Sequence, residues 1–185
     1  MHIEHVKIPG MTLITLKKHG DSRGYFMETY RHSICQEAGI SYDFVQDNRS
    51  LSGKNVLRGM HYQIKNPQGH MISVLRGRIF DVGVDLRKNS PTFGQCCGVE
   101  LSAENPQQLF LPPGVAHGYC TFADENELYY KCTDYYYPDD EGGLLWCDLD
   151  VGIQWPIENP LINARDANFP PLKQIPDWHL PQALL

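Results

Sequence analysis

The stretch that most constrains the fold lies in the middle of the chain: RGRIFDVGVDLRKNSPTFG, Arg76 to Gly94. Phe80, Val82, Val84 and Leu86 alternate with Ile79, Asp81, Gly83 and Asp85, the period of a strand whose two faces meet different surroundings. Arg76-Gly77 reads as the turn from a preceding strand, HMISVL, and Lys88 to Gly94 gathers Asn, Ser, Pro and Gly into the next turn. A further cluster, SAENPQQ (Ser102 to Gln108), precedes the short apolar run of LFLPPG. Strands about ten residues apart, with turn signals between them, predict an all-β sandwich or barrel and not alternating βαβ units. Helical periodicity is confined to short peripheral segments, best seen from about Arg31 to Ala38 and closed by Gly39, the usual residue for a left-handed cap.

With 185 residues the chain fits a single domain, residues 1–185, large enough to bury about 70% of the surface it exposes when unfolded. The Pro-rich end from about residue 168, NFPPLKQIPDWHLPQALL, reads as an extended tail over the core or over a partner subunit, or else as a frayed terminus. No apolar run approaches the length of a membrane helix, and MHIEHVKIPG is too polar for a signal peptide, so a soluble, cytoplasmic protein is expected. In that setting the six cysteines, none in a CxxC spacing, read as free thiols. A net charge of -6 argues against a nucleic-acid surface and leaves any phosphate contact to a few local arginines.

Chemistry concentrates on His61 and His70 in RGMHYQIKNPQGHMISVLRG and on His117 in LPPGVAHGYC. PPGVAHG matches the second half of the cupin signature, in which a Pro-Gly turn delivers a histidine into the mouth of a small β-barrel. Metal-binding cupins supply His-x-His and a glutamate from the first half, but this chain has His61-Tyr62-Gln63, and neither Tyr nor Gln replaces an imidazole or a carboxylate. No metal is therefore expected, with a three-histidine site from His61, His70 and His117 as the alternative.

Eight ordered motifs carry a more specific resemblance: DSRGYFMETY, VQDNRS, VLRGMHYQ, GRIFDVGVDLRKNSPTFG, LPPGVAHGY, LYYKCTDYYYP, VGIQWP and INARD. Together, over about residues 4–170, they resemble the dTDP-4-dehydrorhamnose 3,5-epimerase family of sugar-nucleotide epimerases in the cupin superfamily. The resemblance implies a jelly-roll cupin barrel, a homodimer, and an isomerase that needs neither metal nor other cofactor. The implied substrate is a nucleotide-linked 4-keto-6-deoxyhexose, of the dTDP-4-dehydro-6-deoxyglucose type, inverted at C3, C5 or both. Such an enzyme serves dTDP-rhamnose synthesis and, through it, surface polysaccharide such as lipopolysaccharide O-antigen.

Inversion next to a ketone requires a base on one face, an acid on the other, and a group that holds the enolate oxygen. By resemblance His61 is the base, Asp166 of INARD is its carboxylate partner, and Tyr130 of LYYKCTDYYYP is the acid. Arg23, Glu28, Gln46, Asn48, Arg58 and Arg165 fall on family positions near the nucleotide, diphosphate or sugar, with Arg58 expected at the keto oxygen or a phosphate. His70, His117 and Tyr136 complete the substrate-binding set, and Trp155 reads either as core or as a wall of the nucleotide pocket.

One position departs from the pattern: the family usually carries QGK where this chain has Gln68-Gly69-His70, after a loop one residue shorter. A lysine supplies a fixed positive charge at neutral pH, whereas a histidine does so only if its pKa is raised. Three alternatives therefore stay open. One is inversion of a single centre on another nucleotide-linked 4-ketosugar, such as a CDP-linked 3,6-dideoxy-4-ketohexose; the others are a 3,4-ketoisomerase and a non-catalytic sugar-binding cupin.

Overall fold

A computed structural model describes residues 2–182. The chain begins with β1 (His2–His5), β2 (Thr12–Thr15), the hairpin β3 (Lys18–Asp21) and β4 (Gly24–Met27), and the short helix α1 (His32–Glu37). Strands β5 (Gln46–Ser52), β6 (Leu57–Gln63), β7 (His70–Arg76), β8 (Arg78–Asp85) and β9 (Cys96–Ser102) follow. Then come β10 (Gln107–Leu111), β11 (Val115–Thr121), β12 (Asn126–Cys132), β13 (Glu141–Gly143) and the one-turn helix α2 (Ala164–Ala167). These strands form a six-stranded sheet, β1-β2-β10-β7-β12-β5, facing a five-stranded sheet, β13-β6-β11-β8-β9, with β3 and β4 paired apart from both. Every strand pair is antiparallel, as jelly-roll strands must be when short turns connect them. The fold is the expected jelly-roll cupin barrel.

Apolar side chains occupy three layers. Between the sheets lie Ile72 and Val74 of β7, Leu109 and Leu111 of β10 and Leu128 of β12, against Ile79, Leu101, Val115 and Tyr119 from the other sheet. Outside the six-stranded sheet, Ile14, Met71 and Phe110 are covered by Cys35 of α1 and by Ile40 just past its Gly39 cap, whose φ is +80°. Outside the five-stranded sheet, Met60, Tyr62, Val82, Val84 and Ala116 are covered by Leu144, Val151, Ile175 and Leu180. As far as Gln182 the Pro-rich segment thus lies on the core, where Leu172–Gln174 and Asp177–His179 form single 3-10 turns; its last three residues lie outside the described residues. Trp155 joins this outer layer, its indole N–H donating to the Trp146 carbonyl at 2.7 Å, so its role is packing.

This cover decides what the two faces of β8 do. Val82 and Val84 point outward beneath the C-terminal segment, so Asp81, Gly83 and Asp85 turn toward the interior of the barrel. Asp85 is satisfied there by the Arg87 guanidinium at 2.8 Å and by the Ser90 and Thr92 hydroxyls at 2.5 and 2.6 Å, which pin the turn after β8. Asp81 instead meets a histidine.

The pairing of β6 with β11 sets two of the candidate site side chains. His61 stands opposite His117, Arg58 opposite Tyr119, and the register shifts between them because β6 carries one extra residue. At this bulge Gly59 has φ +123°, and a Cβ on it would come within 2.5 Å of the Gly118 Cα. Two facing glycines let the strands approach this closely.

Candidate active site

A cavity of about 360 Å³ opens between the two sheets, within the usual size range of small-molecule sites. Its walls follow from the period of two. On β6 the outward residues are Met60 and Tyr62, so His61 points in; on β11 Ala116 packs outside, so His117 points in. From the six-stranded sheet, Gln46 and Asn48 of β5, His70 of β7 and Tyr130 of β12 complete the lining, with Tyr136 at the mouth.

His61 is backed by Asp166. Asn163 caps α2 by accepting the Asp166 N–H at 2.8 Å, which fixes the carboxylate at the third position of the helix and aims it under β6. Fully buried, Asp166 accepts from the Gly59 N–H freed by the bulge at 3.0 Å, from Arg165 Nε at 3.2 Å and from His61 Nε2 at 3.0 Å. Burial pushes the Asp166 pKa upward, but these donors, His61 foremost, outweigh it and hold the carboxyl down to about 2. When Nε2 carries the proton and gives it to Asp166, the Arg165 contact to that nitrogen is not a hydrogen bond and Nδ1 is the basic nitrogen of His61. Arg165 closes the rim, with Nη2 3.1 Å from His61 Nε2 and Nη1 donating to Glu141 at 2.6 Å.

On the opposite wall, burial is the main cause that pushes the Tyr130 phenol up to about 12, with Cys132 and Tyr119 adding to it. Tyr130 therefore keeps its proton throughout the physiological range. Its strand neighbour Asn48 is oriented by Gln46, which donates to Asn48 Oδ1 at 3.1 Å, and donates in turn to Cys132 Sγ at 3.3 Å. Tyr136 donates to Glu141 at 3.1 Å.

His117 gives Nε2–H to both oxygens of the buried Asp81, at 3.0 and 3.1 Å. The His70 ring lies 5.5 Å from that of His117 and edge-on to Tyr130 at 5.8 Å. Burial first, then the neighbouring His117 and His61, push the His70 pKa down to about 3, so it stands neutral. The three histidines line one cavity, yet among the described residues no group of three or more His, Cys, Asp or Glu side chains is arranged to hold a metal ion.

Arg23, Glu28 and Arg58 do not line the cavity. Arg23 pairs with Asp21 on the β3–β4 hairpin and Glu28 with Arg31. Arg58 donates to the Ser52 hydroxyl at 3.1 Å, where Ser52 ends β5, and its charge still reaches Tyr130, whose pKa it lowers against the larger effect of burial. Arg49, Gln63, Gln68 and Glu141 also line the cavity; the first three lie in or beside the quoted motifs without a site role assigned to them, and Glu141 lies outside every motif. Glu141 was legible only as an acidic residue ahead of two glycines; its role as joint acceptor for Arg165 and Tyr136 needs the fold.

The chain has counterparts among known proteins. A family model described as dTDP-4-dehydrorhamnose 3,5-epimerase matches residues 5–174. The enzyme of that name from Methanothermobacter thermautotrophicus is 47% identical over 91% of this chain and 93% of its own length. Its counterpart from Salmonella typhimurium is 48% identical over 90% and 93%. The crystal structure of dTDP-6-deoxy-D-glucose-3,5-epimerase from Legionella pneumophila, in complex with dTDP-4-keto-L-rhamnose, superposes with a TM-score of 0.95, at 41% identity, over 100% of this chain and 99% of that one.

Proposed function

The chain belongs to the dTDP-4-dehydrorhamnose 3,5-epimerase family, and on that premise we propose that its cavity inverts C3 and C5 of a dTDP-linked 4-keto-6-deoxyhexose. The observation that carries the proposal is the division of the reacting groups: His61 stands on one sheet and Tyr130 on the facing one. A sugar ring held between them meets a base on one face and an acid on the other.

His61 Nδ1 takes the proton from the carbon beside the C4 ketone. The C–H electron pair becomes the new C=C bond, and the carbonyl pair moves onto the C4 oxygen. Tyr130 then delivers its proton to the opposite face of that carbon, which restores the ketone with inverted configuration. Asp166, ionised and fully buried, stabilises the imidazolium formed in the first step. Exchange with water returns His61 and Tyr130 to their starting states, so no cofactor takes part. The six free thiols suit a reducing, cytoplasmic setting.

The active form we propose is a homodimer. Arg23 and Glu28, on family positions near the nucleotide, lie outside this chain's own cavity, and the hairpin beside them leaves Tyr25 61% and Phe26 72% exposed. A second copy would cover those rings and receive both charged residues at its nucleotide. His70 in place of a lysine favours a second reading of the chemistry, in which only one centre is inverted.

Mass spectrometry of product formed in heavy water tests both readings. Two deuterons per dTDP-4-keto-6-deoxyglucose support double inversion, one supports the single-centre reading, and no incorporation from any 4-ketosugar nucleotide overturns the epimerase. His61→Ala is expected to abolish incorporation.

A further inference from the structure

Among the residues that line the cavity, two carry a sealed polar atom without a partner: the Tyr62 hydroxyl, in the layer outside β6, and one ring nitrogen of His70. His70 Nδ1 is sealed from solvent and forms no hydrogen bond, although the ring belongs to the cavity wall. A buried nitrogen carrying a proton with nothing to receive it costs more than a bare lone pair, since orphaned N–H groups are the rarer defect. The proton of the neutral ring therefore belongs on Nε2, the nitrogen that is not sealed, and an N–H donor is left without an acceptor at the cavity wall.

We propose that His70 donates this Nε2–H to the C4 carbonyl oxygen of the substrate, the atom on which negative charge collects when His61 removes the proton. The inference rests on the epimerase reading and deepens it. His70 enters from β7, on the Tyr130 side of the cavity, with its ring edge-on to the acid and across from the base. An oxygen held there lies between the two proton-transfer groups, as the C4 oxygen must if a flanking carbon is to be reached from both faces.

The groups facing His70 keep it a donor without charge. β12 presents the Tyr130 phenol and the buried Cys132 thiol, both pushed up to about 12 and so uncharged. β10 places Leu111 beside it and brings no ionisable side chain. β6 and β11 contribute His61 and His117, each with one ring nitrogen already given to a carboxylate, Asp166 or Asp81. Neither carboxylate is left free to draw a proton onto His70. The enolate is thus met by a fixed dipole, a preorganised hydrogen bond, where a lysine would supply a full charge. The proton on Nε2 stays there throughout; only its hydrogen bond shortens as charge develops.

The test compares wild type with His70→Ala and His70→Gln in deuterium oxide with dTDP-4-keto-6-deoxyglucose, following deuterium entry and the KM. Glutamine keeps an uncharged N–H donor, and alanine keeps none. Loss of one such donor is expected to slow exchange by about 10²–10³-fold in His70→Ala, with KM little changed, while His70→Gln recovers most of the rate. In the wild-type protein, ¹⁵N NMR of the histidine rings is expected to show His70 as the neutral Nε2–H tautomer from pH 6 to 9, and this measurement stands even if both variants fail to fold. An imidazolium or an Nδ1–H tautomer overturns the inference. So does wild-type exchange by His70→Ala, or a His70→Gln as slow as His70→Ala when both melt and bind dTDP like wild type. Failure of the wild-type enzyme itself to exchange would instead sink the epimerase reading.

Discussion

At the scale of single residues, the proposed base and acid have opposite electrostatic designs. His61 is coupled to a carboxylate that donors hold ionised to about pH 2, whereas Tyr130 is kept protonated by burial up to about pH 12. Tyr130→Phe is accordingly expected to reduce inversion much more than proton removal, seen as deuterium exchange outpacing epimerised product. In wild type, no loss of rate through Tyr130 ionisation should occur below about pH 10. The same groups shape acid stability. His70 has a folded pKa of about 3 against 6.5 when exposed, so its contribution is complete above pH 6.5 and is lost as the pH falls toward 3. Asp166, lowered from 3.8 to about 2, contributes about 2 kcal/mol above pH 4 that is lost only below it. Denaturant midpoints should therefore fall in two stages on acidification, and His70→Leu should flatten the first while leaving the second.

Elements are what bring these residues together. The bulge in β6 aligns His61 with His117 and frees the Gly59 N–H for Asp166, all within a gap that accepts no side chain. Gly59→Ala should destabilise the protein by several kcal/mol or prevent folding, because the clash is with backbone and the φ is unfavourable. Asn163→Ala removes the cap of α2 and should cost about 1 kcal/mol, together with slower exchange as Asp166 loses its aim. Much of this level was legible in the chain. The alternation in Arg78–Asp85, the turn at Gly77 and the helix ended by Gly39 all stand where their patterns put them. Two things were not legible. Alternation reveals two faces but not which one points in, and here the apolar face of β8 points out because the C-terminal segment covers it. Arg23, Glu28 and Arg58 could be matched by motif, but motif order says nothing of which side chains share a cavity within one chain.

For the whole molecule, the C-terminal segment acts as a third layer. Ile175 and Leu180 close over β6, β8 and β11, so Ile175→Ala or Leu180→Ala should each cost about 2–4 kcal/mol, read from denaturant unfolding. No helix among the described residues is long and apolar enough to cross a membrane. If the homodimer forms as proposed, Phe26→Asp should yield monomers in analytical ultracentrifugation, with a weakened response to nucleotide but an intact fold.

Because the proposed base and acid, His61 and Tyr130, hang from different sheets, their separation is a property of the layer of side chains between those sheets. Leu109, Ile72 and Val115 act as spacers that gauge the span across which a proton must be given up on one side and regained on the other. A change in that gauge would leave each half-reaction chemically sound yet out of step, and the enzyme would exchange hydrogen with water while forgetting to turn the carbon over.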